Sequence, residues 1–417
     1  MAGLSDDLFS ASGTPMTVGE AIAELGRRIA PLAGTEMAPL VGADGCVLAE
    51  DVASAVSLPR FDNSAMDGWA VRSADLSGAG PTRLPARGRI AAGHSAASIS
   101  AEGCAVRIFT GAPVPEDADL VIMQEDAGLE GDSVLLPALP RRASNIRRAG
   151  EDVALGAVVL RAGRRLRPQD VALAAAAGRS AVLVRKALRV ALFSTGDEVC
   201  DPGAALGPGA IYDSNRVLLS ALLRRSGAVV IDLGILADER ASLARRLSEA
   251  TASHDVVITS GGVSMGEEDH VRAAVESVGS LAFWKLAIKP GRPMALGVIE
   301  GKPFVGLPGN PVAAFITYTH IARPLLALLA GEDRPPLAGQ PVRAGFSYRK
   351  PEGRRDFIRV RLAPGPDGML EALKHPHDGA SSLTSLSETA GLLVLEEAVT
   401  VVAPGLVAPF IPYADLW

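Results

Sequence analysis

The sequence predicts a multidomain α/β protein in which β-rich units flank a central segment of alternating strands and helices. Three observations predict it. At 417 residues the chain exceeds one ordinary core, since a domain runs to roughly 100–200 residues. After LRVALFSTGDE, which starts a strand and loop, the pattern alternates: helix at about 214–226, strand near 229–235, helix near 239–251, strand at 255–260 and helix at 269–278, followed by the apolar strand candidates LAFWKLAI, MALGVI and FVGL. Short β-prone runs separated by turns occupy the stretch from about 84 to 137, as in AVRIF and DLVIM, and recur beyond DRPP at 333–336, as in VRAGFSY, DFIRVRLA and GLLVLEE.

The individual elements follow from local chemistry. Residues 17–30 place Val18, Ile22, Leu25 and Ile29 at helical spacing, and Thr17 with Glu20 forms a capping-box pattern. Pro59, Asn63 and Gly68 interrupt regular structure through LPRFDNSAMDGWAV. A second helix is expected at 169–178, and Gly227 after LLRRS is a helix stop. A last helix starts at Pro311 and runs toward Leu329, with Pro324 expected to kink or divide it.

Composition narrows the function. Hydrophobic residues make up 48% and aromatic residues only 4%, so the cores rely on Leu, Val, Ile and Ala. A formal charge of −6 argues against a broad nucleic-acid-binding face but allows a local positive pocket. Cys46, Cys104 and Cys200 are too far apart for the close ligand pairs of a structural zinc site and read as ordinary side chains in a reducing compartment. The first ten residues are acidic and no uninterrupted apolar run reaches the roughly 20 residues of a membrane span, so a cytoplasmic protein without membrane association is expected.

The chemistry concentrates in loops that follow apolar runs. DVVITSGGVSMG at 255–266 empties a strand into glycines, where Ser260, Gly261, Gly262, Ser264 and Gly266 can bring amides and hydroxyls to an anion; a tight strand-to-helix connection is the plainer alternative. Asp197 and Glu198 in TGDE, with Asp238 and Asp269, suit a Mg²⁺ site at strand ends, although an acidic pair at a helix start would look the same. Lys285 and Lys289 in FWKLAIKPG would share one face of an extended strand and could hold anions, or simply decorate an exposed edge. In LPGNP, Pro308 and Pro311 restrict the loop and Asn310 offers an amide. FDNSAMDGWA and PRRASNIRRAGED form two further polar segments, the second suggesting an anion-facing patch. Neither HExxH nor GxSxG occurs, which weighs against a zinc protease or a serine hydrolase.

Taken together and in this order, FDNSAMDGWA, RIFTGAPVP, NIRRAGEDV, STGDE, IYDSNR, SGGVSMGEEDH, FWKLAIKPGRP and LPGNPVAAF closely resemble the bacterial molybdopterin molybdenumtransferase (MoeA) family and the corresponding domain of gephyrin. The resemblance implies a molybdopterin-binding α/β domain at 187–333, a β-rich insertion at 57–141, a discontinuous linker domain at 1–56 and 142–186, and a C-terminal β-barrel-like domain at 334–417. It further implies an elongated homodimer whose cleft the partner subunit completes. Molybdopterin adenylyltransferase and molybdoenzyme-maturation proteins are implied partners.

The implied reaction inserts molybdate-derived molybdenum into adenylylated molybdopterin and releases AMP with Mg²⁺ support. In that scheme Asp197, Glu198, Asp238 and Asp269 organise metal or polar substrate groups, and Lys285, Lys289 and the glycine amides neutralise anionic charge. Asp62 and Asp152 are implied cross-subunit participants, and Thr110 in IFTGAP resembles a family pocket residue. Near the C-terminus Ala380 stands where the family often has serine, leaving Ser381 as the hydroxyl, and Arg354 and Arg355 compete for one arginine role. A molybdopterin adenylyltransferase and a non-catalytic, gephyrin-like scaffold are the rival readings.

Overall fold

The computed structural model describes residues 15–138, 145–262 and 270–416. At its centre lies a six-stranded sheet in the order Val229–Ile235, Arg189–Ser194, Val256–Ser260, Lys302–Leu307, Pro293–Ile299 and Gly279–Lys285. The first four strands are parallel and read as nearly unbroken apolar runs because both faces are covered. Leu219, Leu223, Phe315 and Tyr318 cover one face, whereas Leu243, Leu247, Val271 and Val275 cover the other. All four parallel strands release their carboxyl ends at one edge, where crossing connections open a crevice.

The expected helices form where local signals place them. Val18–Arg28 carries the predicted capping box, with Thr17 and Glu20 exchanging hydrogen bonds, and its buried Val18, Ala21 and Leu25 join the central core. Ser214–Arg225 stops before Gly227, whose φ of +83° is the left-handed conformation that ends a helix. The last helix is divided just ahead of Pro324, as expected, into Pro311–Thr317 and Arg323–Leu329, with the proline in the first turn of the second, although the whole run Pro311–Leu329 stays helical. Tyr318–Ala322 widen into a π-helical turn just before the proline, and the Thr317 and Thr319 hydroxyls donate to the Ala313 and Phe315 carbonyls at 2.8 and 2.9 Å. That helix is apolar and long enough to cross a membrane, but 89% of its most apolar window is buried inside the protein, where it forms the core.

Residues 68–136 form a second six-stranded sheet, in which Thr82–Ile90 is long enough to pair with Ala105–Ile108 through one half and Ser133–Leu136 through the other. A linker unit joins the two flanking stretches of chain: Thr35–Pro39 pairs with Ala181–Arg185, and Val52–Ala53 with Val158–Leu160. The C-terminal strands close on themselves, in the cyclic order Arg355–Pro364, Leu370–Lys374, Gln340–Ala344, Val407–Pro412 and Gly391–Leu395. Closure removes the open edges and encloses Val342, Ile358, Val360, Leu393 and Phe410. The multidomain α/β architecture with a β-rich insertion and a terminal barrel is therefore as the sequence predicts.

In the linker unit Asp170 sits at the start of helix Pro168–Ala176 with its side chain 5% exposed. Burial alone would raise its pKa, but hydrogen bonds from Arg167 and Arg164 outweigh that and hold it at about 2. A depressed carboxyl contributes stability that is complete above its ordinary value of 3.8 and is lost as pH falls toward about 2. Asp170→Asn should cost about 2 kcal/mol at neutral pH and flatten the acid limb of a plot of urea midpoint against pH. Parallel acid limbs for the two proteins would reject this role.

Candidate active site

The crevice is assembled by loops that approach one another because glycines leave room. Gly261 and Gly262 follow Val256–Ser260 with φ of +84° and +63°, turning successive amides outward. A Cβ at Gly262 would lie 2.4 Å from Thr195 Oγ1 and 2.4 Å from Val271 Cγ2, so no other residue fits between the TGDE loop and the following helix. Across the crevice a Cβ on Gly309 would rest 3.8 Å from Gly261 Cα, which brings the LPGNP loop alongside. Pro308 is half-buried, whereas Gly309 and Asn310 are exposed, and Pro311 opens the helix.

Asn215 ties these loops together. Its Nδ2 donates to Ser260 Oγ at 2.8 Å and to the Gly309 carbonyl at 2.7 Å. Asp213 caps the same helix by accepting from the Arg216 amide at 3.0 Å. The Arg216 guanidinium reaches Asp213 Oδ2 at 2.9 Å, both oxygens of Asp232 at 2.8 and 2.7 Å, and Asp201. IYDSNR therefore works as a brace under the crevice, a role that reading single residues missed although the motif itself was visible.

Three of the four expected acids are described. Asp197 and Glu198 are exposed, and the Glu198 carboxylate folds over Gly196, where a Cβ would sit 2.5 Å from Oε2. Asp238 is half-buried; burial pushes its carboxyl up, with Asp197 and Glu198 adding repulsion and His270 opposing it. Ser194 Oγ, Thr195 Oγ1, Asn215 Oδ1 and Asp238 Oδ1 are buried here without a hydrogen-bond partner among the described residues. Such orphaned atoms are costly unless a ligand or water satisfies them. Ser264, Gly266 and Asp269 lie outside the described residues, as do Arg141 and Arg142.

The lysines require a correction. Lys285 and Lys289 do not share a strand face, because the chain leaves the sheet between them. Lys285 ends the edge strand Gly279–Lys285, Leu286 bridges to Met16, and Ile288–Lys289 pairs instead with Arg355–Asp356 of the barrel. Lys289 Nζ donates to Tyr348 Oη at 3.1 Å, and Tyr348 Oη donates to Asp356 Oδ2 at 2.9 Å. Arg354 forks onto Asp356 at 2.7 and 3.1 Å, whereas Arg355 turns to Glu397 Oε2 at 3.1 Å. The two arginines are thus separated, with Arg354 on the Lys289 side.

The barrel also delivers the 377–386 loop to the crevice. The Val312 amide, in the first turn of the helix after LPGNP, donates to the Ala380 carbonyl at 2.9 Å and so places Ser381 beside that helix start. Buried Arg359 holds the loop through Ser385 Oγ at 3.0 Å and the Gly379 carbonyl at 3.2 Å. Thr110, Asp62 and Asp152 belong to another cluster, below the insertion. Thr110 donates its amide and hydroxyl to Asp67 Oδ1 at 2.8 and 2.7 Å, and Asp62 accepts from Arg148 and from the Ala149 amide. Asn63–Ser64 pairs with Ile146–Arg147 there, and Asp152 is exposed nearby, its amide bound to the Leu58 carbonyl at 3.0 Å. The bonds of these residues run to one another's loops and, among the described residues, to none of the crevice residues.

Comparison with known proteins matches this layout segment by segment. The chain matches the MoeA N-terminal region (domain I and II) over residues 16–178, a probable molybdopterin binding domain over 191–328, and the MoeA C-terminal region (domain IV) over 341–413. The chain belongs to the MoeA family of molybdopterin molybdenumtransferases. A molybdopterin molybdenumtransferase of Haemophilus influenzae is 39% identical over 92% of this chain and 95% of its own length. Molybdopterin molybdenumtransferase 2 of Mycobacterium tuberculosis is 37% identical over 92% and 95%. The crystal structure of a molybdopterin biosynthesis MoeA protein from Pyrococcus horikoshii superposes with a TM-score of 0.82 at 28% identity, covering 96% of this chain and all of that one. As a MoeA member, the chain is an enzyme of molybdenum cofactor biosynthesis.

Proposed function

We propose that the crevice binds adenylylated molybdopterin, accepts molybdate, inserts molybdenum at the dithiolene and releases AMP. The observation that carries this reading is the meeting of glycine amides, a helix start and orphaned polar atoms at one sheet edge. The amides at 261–262 and the helix start at Pro311 suit phosphate oxygens. Ser260, held by Asn215, gives a hydroxyl of fixed position. Lys285 at the sheet edge and the Lys289–Tyr348–Asp356 chain at the barrel rim offer positive charge and donors to an anionic cargo such as molybdate.

Mg²⁺ fits the donor set at Asp197, Glu198 and Asp238. The unpartnered Asp238 Oδ1 and the repulsion that Asp197 and Glu198 exert on the Asp238 carboxyl are what a hard cation relieves. Among the described residues no group of three or more His, Cys, Asp or Glu side chains is close enough to form a complete protein site. Mg²⁺ characteristically takes one or two carboxylates and completes its shell from phosphate and water. Bound there, it would neutralise phosphate charge as the anhydride breaks.

The homodimer belongs to the same reading. Phe61 and Met66, each 44% exposed, flank Asp62 in the polar loop, an apolar rim suited to meeting a partner's crevice. Asp62 and Asp152 would then serve the other subunit. A cytoplasmic location, with an adenylyltransferase supplying the substrate and molybdoenzyme-maturation proteins receiving the product, completes the proposal.

The test is reconstitution from purified adenylylated molybdopterin, molybdate and Mg²⁺, scored by AMP release and molybdenum transfer. Wild type should produce both, and their absence under binding conditions would reject the reading. Glu198→Gln keeps the size but removes the charge, so it should slow turnover and require roughly tenfold to hundredfold more Mg²⁺. An unchanged Mg²⁺ titration would remove Glu198 from the metal site.

A further inference from the structure

Away from the crevice, a cavity of about 830 Å³ lies where the linker unit, the central domain and the connection to the barrel meet. Its walls come from Glu36, Asp415 and the stretches 45–47, 161–167, 185–188, 225–228 and 323–338. Nine lining side chains are Arg or Lys and four are Asp or Glu. Asp51 and Asp170 pair with lining arginines from behind, so nine cations face six carboxylates. In a chain of formal charge −6 this is a local reversal of sign and not a reflection of composition.

Arg161, Arg167, Lys186 and Arg225 are exposed at the mouth, Arg164, Arg165, Arg185 and Arg334 are half-buried, and Arg323 is buried. Arg323 is 5% exposed, lines the cavity, and makes no hydrogen bond or ion pair among the described residues; its Nε is orphaned, as are those of Arg164 and Arg185. Burial, reinforced by Arg334, pulls the Arg323 pKa down to about 10, which leaves it charged at neutral pH. Arg165 is fixed on the Gly45 carbonyl at 2.7 Å and Glu332 at 2.6 Å, and Gly227 makes room for it, since a Cβ there would lie 2.8 Å from Nη1. Arg334 is turned inward toward Glu332 at 3.7 Å. Glu332 offsets part of the cost of burying Arg323 but is already paired with Arg165 and Arg334, and planar N–H forks are matched by phosphate oxygens.

We propose that this cavity is an anion site for a small molecule carrying two or more linked phosphates, separate from the crevice. Its volume is that of a small-ligand pocket, typically about 300–1,000 Å³. Leu166, Leu188, Leu326 and Leu337 supply apolar wall beside the arginines. The linked phosphates belong equally to an inorganic polyphosphate and to a nucleoside triphosphate, and the two sources are distinguished by the probe. Since three parts of the chain form the walls, occupancy should also hold the linker unit against the central domain.

The experiment is isothermal titration of the full-length protein with tripolyphosphate, with ATP and with adenosine, alongside unfolding midpoints. Tripolyphosphate should bind and raise the midpoint. ATP binding tighter than tripolyphosphate would assign the apolar wall to a nucleoside, equal affinity would assign the phosphates alone, and adenosine should not bind. Arg323→Met should weaken tripolyphosphate about tenfold or more. Because a buried arginine can be needed for folding, Arg334→Gln serves as a second variant and should weaken binding in the same direction. Lys289→Ala, a crevice substitution, should leave tripolyphosphate affinity unchanged. No binding by wild type, equal affinity in both arginine variants, or loss of binding in Lys289→Ala would overturn the site.

Discussion

Arg216→Met should destabilise the protein by about 3–5 kcal/mol and lower the unfolding midpoint of the central domain by roughly 10 °C. The reason lies in what the guanidinium leaves behind. Its side chain is 10% exposed and reaches three carboxylates, of which Asp213 is 2% exposed and Asp232 and Asp201 are more open. Methionine fills much of the volume but leaves Asp213 buried as an anion with no cation to face. Asp232 ends up in the same condition in milder form, since burial opposes its charge and Arg216 now holds its pKa down.

The companion variant separates a lost ion pair from lost packing. Asp213→Asn with Arg216→Met removes the stranded charge while keeping an amide that can cap the helix. The double variant should recover part of the stability, a coupling that a double-mutant cycle reads directly. Additive losses would mean that Arg216 acts through its methylenes alone. Because Asn215 stands between these two residues and holds Ser260 and the Gly309 carbonyl, the single variant should also loosen ligand binding in the crevice.

What could be read from the sequence depends on how far each cause lies along the chain. The capping box of Val18–Arg28 and the stop at Gly227 are local, so residue types and spacing determine them. The sheet-edge loops were equally legible, since apolar strands running into SGG, TGDE and LPGNP signal where parallel strands end. Asn215 was not, because its partners lie 45 and 94 residues away and its own surroundings read only as a helix start. Lys285 and Lys289 failed for a related reason: a spacing of four assumes one strand, and the break between them is set by pairing with Met16 and Arg355. Pro324 was legible as a point of division, but its form was not: a π-helical turn at Tyr318–Ala322 leads into a second helix that carries the proline in its first turn. The arginine cavity was invisible for the strongest version of this reason. Its cations come from positions 161 through 334, each of which reads locally as a solvated charge.

At a Mg²⁺ concentration too low to support Glu198→Gln, mixing Asp62→Asn with Glu198→Gln should give turnover well above that of either parent alone. In the proposed homodimer each site combines Glu198 of one chain with Asp62 of its partner. A mixed dimer then holds one site with both residues intact and one with both replaced. Random re-association should add about a quarter of wild-type activity to the residual activity of the parents, since half the dimers are mixed and each has one working site. The expectation rests on bonding within the chain: Asp62 is committed to Arg148 and the Ala149 amide and, among the described residues, bonds to none of the sheet-edge loops. The Ala149 amide bond, with Arg148 beside it, holds the Asp62 carboxyl below its usual range, so it would be presented to a partner as an anion at neutral pH. Asparagine keeps the shape and one acceptor but not the charge, so the fold should be retained; unfolding midpoints of both parents check that directly. Verified mixed dimers without activity would place Asp62 in its own subunit's chemistry or in structure alone. The same mixture made with Asp152→Asn decides whether one loop or both cross over, because exposed Asp152 lies in the adjoining turn and has no carboxylate partner to restrict it among the described residues.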